Sequence, residues 1–198
     1  EDAKWINITV PLDKVIEEYR EMSAMLTQQQ SHPSVETFTC DPLTIITFVS
    51  GDPLFFGFAN TIRRKMPEAD IVVYPAFNSL QMLAHRLVMP YHDMRIVSLT
   101  GRPWQGVDKA VIEGEEKIGV LTDREHTPAS IARRMMEYGY THYDMHVGEH
   151  LGNPEAEKVT SLSLEEASAR SFSMPNCLML VSNRLCKSRF GVPDSDFV

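Results

Sequence analysis

The run from Leu43 to Val49 carries no charge, is rich in β-branched and aromatic residues, and ends abruptly at Ser50-Gly51-Asp52-Pro53. Such a run suits a strand buried on both faces of a parallel sheet, and Pro53 cannot continue a ladder. Gly51 adopts backbone angles other residues resist and admits a ligand close to the main chain. Asp52 is suited to N-cap a helix opened by Pro53, with Leu54, Phe55, Phe58, Ile62 and Met66 on its buried stripe. Strand, turn and helix make half of a βαβ unit. In open α/β sheets ligands gather outside the carboxyl ends of strands, where a helix start adds N–H donors. The same residues also read as an ordinary capped turn.

The remaining chain repeats this alternation. Trp5 to Val10 reads as a strand, and Pro11 opens a helix through Val15, Ile16, Tyr19 and Met22 or Met25 that Gln28 to Pro33 closes. Asp70 to Tyr74 is a strand, Pro75-Ala76-Phe77-Asn78-Ser79 a second strand-to-helix turn, and Leu80, Leu83, Leu87 and Val88 mark the next helix. Pro90 to Asp93 reads as a linker, Arg95 to Leu99 as a strand, and Thr100-Gly101-Arg102-Pro103 as a third turn. Lys117 to Thr122 is a strand; Thr127 caps a helix with Pro128 first, Ile131, Met135 and Tyr138 inside and Gly139 as its stop. Tyr143 to Val147, Lys158 to Leu162 and Cys177 to Val181 read as strands, the last two antiparallel around a short helix at Leu164 to Ala169. The expectation is an α/β chain with a first lobe at 1–92, a second at 93–182 and a linker or tail at 183–198.

Composition narrows the function. With 43% hydrophobic and 23% charged residues over 198 positions there is material for a core, and no apolar run approaches the roughly 20 residues of a membrane helix. The N-terminus has no signal-peptide pattern, so a cytoplasmic protein is expected. Cys40, Cys177 and Cys186 are odd in number and lack metal-ligand spacing, which argues for ordinary thiols. A formal charge of -8 argues against general nucleic-acid binding and means that an anionic substrate needs a local basic cleft. Eleven methionines and nine phenylalanines are explained by core filling. No nucleophile elbow, Walker loop or dinucleotide fingerprint is present, which removes the commonest hydrolase, nucleotidase and dehydrogenase readings.

Two further constellations carry possible chemistry. His146-Val147-Gly148-Glu149-His150 matches the H-x-x-E-H pattern of inverted zinc peptidases, an alternative zinc-dependent hydrolase reading that requires a helix where the sequence has a strand and Gly148. Arg63-Arg64-Lys65 reads as a solvated helix face, whereas Arg102 follows a strand, where carboxylate contacts are common.

Ser50-Gly51-Asp52-Pro53-Leu54-Phe55-Phe56-Gly57 resembles the Gly-Asp-Pro motif of the tetrapyrrole methylases. Later segments agree in order: Pro75 to Gln81, Val97-Ser98-Leu99-Thr100-Gly101-Arg102, Leu121-Thr122 and Gly148-Glu149-His150-Leu151-Gly152. With Thr122-Asp123-Arg124-Glu125-His126-Thr127-Pro128, the combination is most similar to the carbon-5 methylating domain of the C5,15-methyltransferases of cobalamin biosynthesis. The resemblance spans about residues 5 to 182. Family members begin with a strand and glycine-rich loop ahead of the Trp5 region, so the resemblance implies an N-terminally truncated chain.

The resemblance implies a two-lobed fold, with a mostly parallel sheet in the first lobe and a mixed one in the second. It implies S-adenosylmethionine-dependent methylation of carbon 5 of precorrin-7 or its cobalt form, or another substrate of the same class. By position, cofactor contacts fall on Gly51, Asp52, Phe55, Asn78, Ser79, Leu121 and Gly148, with Asp52 either orienting the cofactor or capping a helix. Arg102 and His126 either meet substrate carboxylates or serve the structure. The implied partners are an anionic precorrin, a second copy in a homodimer, and a carbon-15 methyltransferase/decarboxylase domain toward which the Pro193 to Phe197 tail leads.

Overall fold

The computed structural model describes residues 5–9, 11–29 and 45–184. The chain divides into two compact units, Glu1–Ala76 and Phe77–Val198.

In the first unit, α1 (Leu12–Gln29) buries Val15, Ile16 and Tyr19, the expected stripe, against Met66. Ile6, Ile45, Phe58 and Ile62 pack on that cluster, and the Tyr19 ring meets Phe58 edge to face at 6.4 Å. Lys65 at the end of α2 (Phe58–Lys65) pairs with Asp13 of α1. The expected parallel sheet is not formed: among the described residues of this unit no segment is a strand. Trp5 to Thr9, Ile45 to Val49 and Asp70 to Tyr74 make no ladder, and Ile46, Phe48, Val72 and Tyr74 are 71–82% exposed. Strand propensity becomes a strand only when a neighbouring edge accepts its N–H and C=O groups. Leu43, Thr44 and Val10 lie outside the described residues.

The second unit follows the expected order closely. Its elements are α3 (Ser79–Leu87), β1 (Arg95–Ser98), α4 (Gln105–Ile112), β2 (Lys117–Leu121), α5 (Pro128–Glu137), β3 (Tyr143–Glu149), β4 (Lys158–Ser163), α6 (Leu164–Ser168) and β5 (Asn176–Ser182). Only α4 lacks an assigned counterpart in the sequence reading. The five strands form one mixed sheet in the order β1-β2-β5-β3-β4, with β1 and β2 parallel and every other pair antiparallel. This is an α/β fold.

Strand alternation sends Leu178, Leu180, Ile118, Val120, Met145 and Val147 to one face, where Val107, Ala110 and Val111 of α4, Ile131, Ala132 and Met135 of α5 and Leu164 and Ala167 of α6 complete the core. The opposite face takes α3. There Gly119 pairs with Met179, which pairs with His146, and Leu121 pairs with Cys177, which pairs with Gly148. A Cβ on Gly119 would lie 2.6 Å from Met94 Sδ and 2.9 Å from Leu80 Cδ1, so the bare backbone there admits α3 to the sheet. Among the described residues no helix is long and apolar enough to cross a membrane.

Leu180 on central β5 has no solvent exposure, whereas Ile112 on α4 is 70% exposed. Leu180→Ala is expected to lower the unfolding free energy by roughly 2–5 kcal/mol and Ile112→Ala by less than about 0.5 kcal/mol in urea denaturation. Equal effects would contradict this assignment of the core.

Candidate functional site

The central turn is built differently from its expected form. Asp52 does not cap a helix at Pro53; its Oδ1 accepts from Leu54 N at 2.9 Å, a local side-chain turn, and Phe55 N donates to Asp52 O at 3.1 Å. That bond satisfies locally the group a longer helix would have used. Helix α2 begins only at Phe58, with Gly57 as its uncapped N-terminal neighbour. The Pro53 carbonyl accepts from Ala59 N at 3.2 Å and the Leu54 carbonyl from Asn60 Nδ2 at 2.7 Å, so the turn folds back onto α2. Gly57 is required for space: a Cβ would sit 2.4 Å from Pro53 O. Gly51 has φ 69°, and Phe56 holds φ 53° despite its bulk. An L-residue rarely holds such angles unless its surroundings impose them, a feature that concentrates at ligand sites. Phe55 stacks edge to face on Phe56 at 5.2 Å.

In the second unit the predicted cofactor residues converge. Asn78, which is buried, N-caps α3 in a capping box: its side chain accepts from Gln81 N at 2.9 Å while Gln81 Oε1 accepts from Asn78 N at 3.0 Å. The box puts Ser79 at the first turn of α3, beside the Cys177 thiol. Cys177 lies between Leu121 and Gly148 in the sheet, so Ser79, Leu121 and Gly148 are all neighbours of Cys177 at the carboxyl ends of β2 and β3. Burial pushes the Cys177 thiol up to about 12, against the lowering effect of Ser79, so it is a packing thiol and not a nucleophile. Gly148 is buried, and a Cβ on it would stand 2.7 Å from Leu151 Cδ1. Leu151 therefore covers Gly148. Ser79 and Leu121 remain half-buried and are the accessible members of this set.

A second group lies after β1 and β2. Arg102 is exposed and curls back, Nη1 donating to Ser98 Oγ at 2.8 Å and to the Thr100 carbonyl at 3.2 Å. His126 is buried, its ring edge-on to Trp104 at 4.5 Å and its Nδ1 at 3.0 Å from Asp123 Oδ1. Asp123 also accepts from His126 N at 2.7 Å, Glu125 N at 2.9 Å and Gly101 N at 3.0 Å. Burial opposes its ionisation, but the three backbone N–H groups and the His126 ring outweigh it and hold the carboxyl at about 2. Beyond the last β2–β5 pair, the Thr122 hydroxyl donates to the Asn176 carbonyl at 2.6 Å and Oδ1 at 2.7 Å.

The zinc reading is overturned. His146 and Glu149 lie on strand β3, an odd number of residues apart, and so point to opposite faces. His146 Nδ1 meets Ser161 Oγ at 2.7 Å, burial holding its pKa below the ordinary histidine value against the nearby Asp144. Glu149 is buried and its Oε1 accepts from Ser173 N at 2.6 Å, while His150 leaves the strand at φ 49°. Among the described residues no three His, Cys, Asp or Glu side chains group to hold a metal.

Sequence reasoning missed Cys177, Leu151, Gly57 and Asp123 as organising residues. Asp123-x-x-His126 just before the Thr127-Pro128 cap was the available signal for the last, and the six-residue Gly51–Gly57 spacing for the third. Cys177 owes its place to strand register, which no local pattern announces.

Fold and site together define an α/β domain whose polar groups collect at the carboxyl ends of its strands. The profile described as Tetrapyrrole (Corrin/Porphyrin) Methylases matches residues 41–168, more than half of the chain, and the chain belongs to that family. Over 117 residues it is 32% identical to the precorrin-6Y C(5,15)-methyltransferase (decarboxylating) of Sinorhizobium sp, covering 59% of this chain and 28% of the relative. Over 125 residues it is 27% identical to the cobalt-precorrin-7 C(5)-methyltransferase of Salmonella typhimurium, covering 63% and 60%. The chain thus spans less than two thirds of either relative's length. The uroporphyrin-III C-methyl transferase of Thermus thermophilus, solved in complex with S-adenyl homocysteine, shares the fold with a TM-score of 0.53 and 19% identity, over 83% of this chain and 74% of that one.

Because the folded value of Asp123 lies below the ordinary aspartate value of about 3.9, its contribution to stability is complete above that value and is lost as pH falls toward about 2. Asp123→Asn is expected to lower stability at neutral pH and to flatten the acid limb between about pH 4 and 2 in pH-dependent urea unfolding. An unchanged acid limb would contradict the assigned hydrogen bonds.

Proposed function

We propose that this chain is the carbon-5 methylating part of a cobalamin-pathway enzyme, transferring a methyl group from S-adenosylmethionine to precorrin-7 or its cobalt form. The observation that carries this reading is the meeting of Ser79, Leu121 and Gly148 around Cys177 at the start of α3, in a chain of the tetrapyrrole methylase family. The names of the relatives supply the carbon atom and the substrate.

The residues present fit the cofactor. A half-buried hydroxyl and leucine beside a helix start suit a ligand that joins a carboxylate to apolar and aromatic parts. When bound, S-adenosylmethionine supplies an electrophilic methyl group to an electron-rich carbon. In this proposal Asn78 fixes the start of α3, Ser79 offers its hydroxyl, Leu121 offers apolar surface and Gly148 acts through the Leu151 that it lets lie on the sheet. In the first unit, Gly51 and Phe55 offer main chain and ring, and Asp52 sets the turn by holding Leu54 N. No side chain need form a covalent intermediate; alignment of the reactants is the main contribution.

Substrate recognition in this proposal falls to Arg102 and His126. A chain of net charge -8 repels a polycarboxylate at long range, so a guanidinium after β1 and an imidazole after β2 are well suited to hold its carboxylates. The finer parts of the same proposal are a cytoplasmic homodimer and a carbon-15 methyltransferase/decarboxylase domain working with this one, as the C(5,15) name of the Sinorhizobium relative suggests.

Incubated with precorrin-7 and S-adenosylmethionine labelled with carbon-13 in the methyl group, the chain is expected to give one new carbon-13 resonance, at a methyl on carbon 5. Label at a different carbon would replace the proposed position, and cofactor binding with no transfer to any tetrapyrrole would sink the activity.

A further inference from the structure

Asp123 bonds in two directions. Oδ1 receives Glu125 N, His126 N and His126 Nδ1, all from its own turn after β2, whereas Oδ2 receives Gly101 N from the turn after β1, 22 residues away in sequence. A carboxylate that only opened its own turn would need Oδ1 alone. The two turns are tied again by Thr100 Oγ1, which donates to the Thr122 carbonyl at 3.1 Å, and by Leu99 N, which donates to the Leu121 carbonyl at 2.9 Å. Gly101, the residue held by Oδ2, directly precedes Arg102 and has φ 62°.

Four N–H groups bond to this one carboxylate, three on Oδ1 and one on Oδ2, and its negative charge is spread into donors beside the place where an anion would bind. Being ionised, it has no proton to give, so His126 must present Nδ1–H to it, and the ring holds a substrate carboxylate in the form that carries a proton on both nitrogens, in which Nε2–H donates.

We propose that Asp123 is a positioning residue for substrate carboxylates: by holding Gly101 N on one oxygen and His126 on the other, it presets Arg102 and the His126 ring as one recognition unit. This rests on the methyltransferase reading above and deepens its account of substrate binding. The ligand class is a tetrapyrrole polycarboxylate, and the residue acts through Arg102 and His126 without touching the ligand.

The test is a double-mutant cycle in the full chain, saturated with S-adenosylhomocysteine, with precorrin-7 titrated and tryptophan fluorescence read. Arg102→Ala and Asp123→Asn are each expected to raise the precorrin-7 Kd about tenfold, the scale of one charge-assisted hydrogen bond. The double variant is expected to lie within about twofold of Asp123→Asn, because the substitution at Asp123 already releases Arg102. The S-adenosylhomocysteine Kd, measured on the same samples, is expected to stay within about twofold throughout, which a general loss of structure would not allow. Should Asp123→Asn not fold, Asp123→Glu, which keeps the charge and displaces the oxygens by one methylene, takes its place with the same expected coupling. Multiplying factors in the double variant, or an unchanged Kd in Asp123→Asn, would overturn the assignment. A wild-type chain that binds S-adenosylhomocysteine but not precorrin-7 would bring down the substrate reading itself, and this inference with it.

Discussion

A Cβ at position 119 would press on the ends of the Met94 and Leu80 side chains, and α3 seats on the sheet where that Cβ is missing. With only hydrogen there, Leu80, Leu83 and Ala84 bury completely and α3 comes down on β2, β5 and β3. The helix start is then held by two devices with different physics. Asn78 and Gln81 satisfy backbone donors reciprocally, a local effect of roughly 1 kcal/mol. Ser79 reaches across to Cys177, a tertiary contact that depends on strand register. A shift of β5 by one residue would turn Cys177 to the other face and dissolve the meeting of Ser79, Leu121 and Gly148.

The opposite face supplies rigidity. Sixteen buried residues from strands β1, β2, β3 and β5 and helices α4, α5 and α6 form one cluster with Leu99, and the β1 and β2 carboxyl ends emerge from it with their turns bonded to each other. Polar groups buried at this edge, Ser98, Thr122, His126 and Glu149, have identified partners: Ser98 takes Arg102, Thr122 takes Asn176, His126 takes Asp123 and Glu149 takes Ser173. Satisfied groups of this kind hold a surface in one conformation, which suits a site whose work is alignment.

Apart from α4, the elements of the second unit were legible in the sequence to within a residue or two. Thr127-Pro128 and Gly139 bracket α5 because capping and positive φ are local requirements, and the uncharged runs of β2 and β5 lie between turn signals. The uncharged runs of the first unit were just as strand-like in composition, yet Ile45 to Val49 and Asp70 to Tyr74 form no strand, since a ladder needs a partner that composition cannot provide. At Asp52 the misreading was a competition between two short-range bonds. The side chain satisfied Leu54 N two residues on, and the helix waited for Gly57. His146, Glu149 and His150 show the same lesson in reverse: a spacing that converges on a helix diverges on a strand. Asp123 and Cys177 were hidden because their importance comes from which segments the sheet brings beside them.

The central claim is that the start of α3 and the Leu121–Cys177–Gly148 row form the cofactor's place in the second unit. Its most direct test is a titration of the isotope-labelled chain with S-adenosylhomocysteine, followed at the backbone amides of Ser79, Leu121 and Gly148. Saturable shifts at Ser79 and Leu121 with one common dissociation constant are predicted, with Gly148 responding through Leu151. Saturable binding that leaves these three amides unmoved, or no binding by the folded chain, would contradict the account.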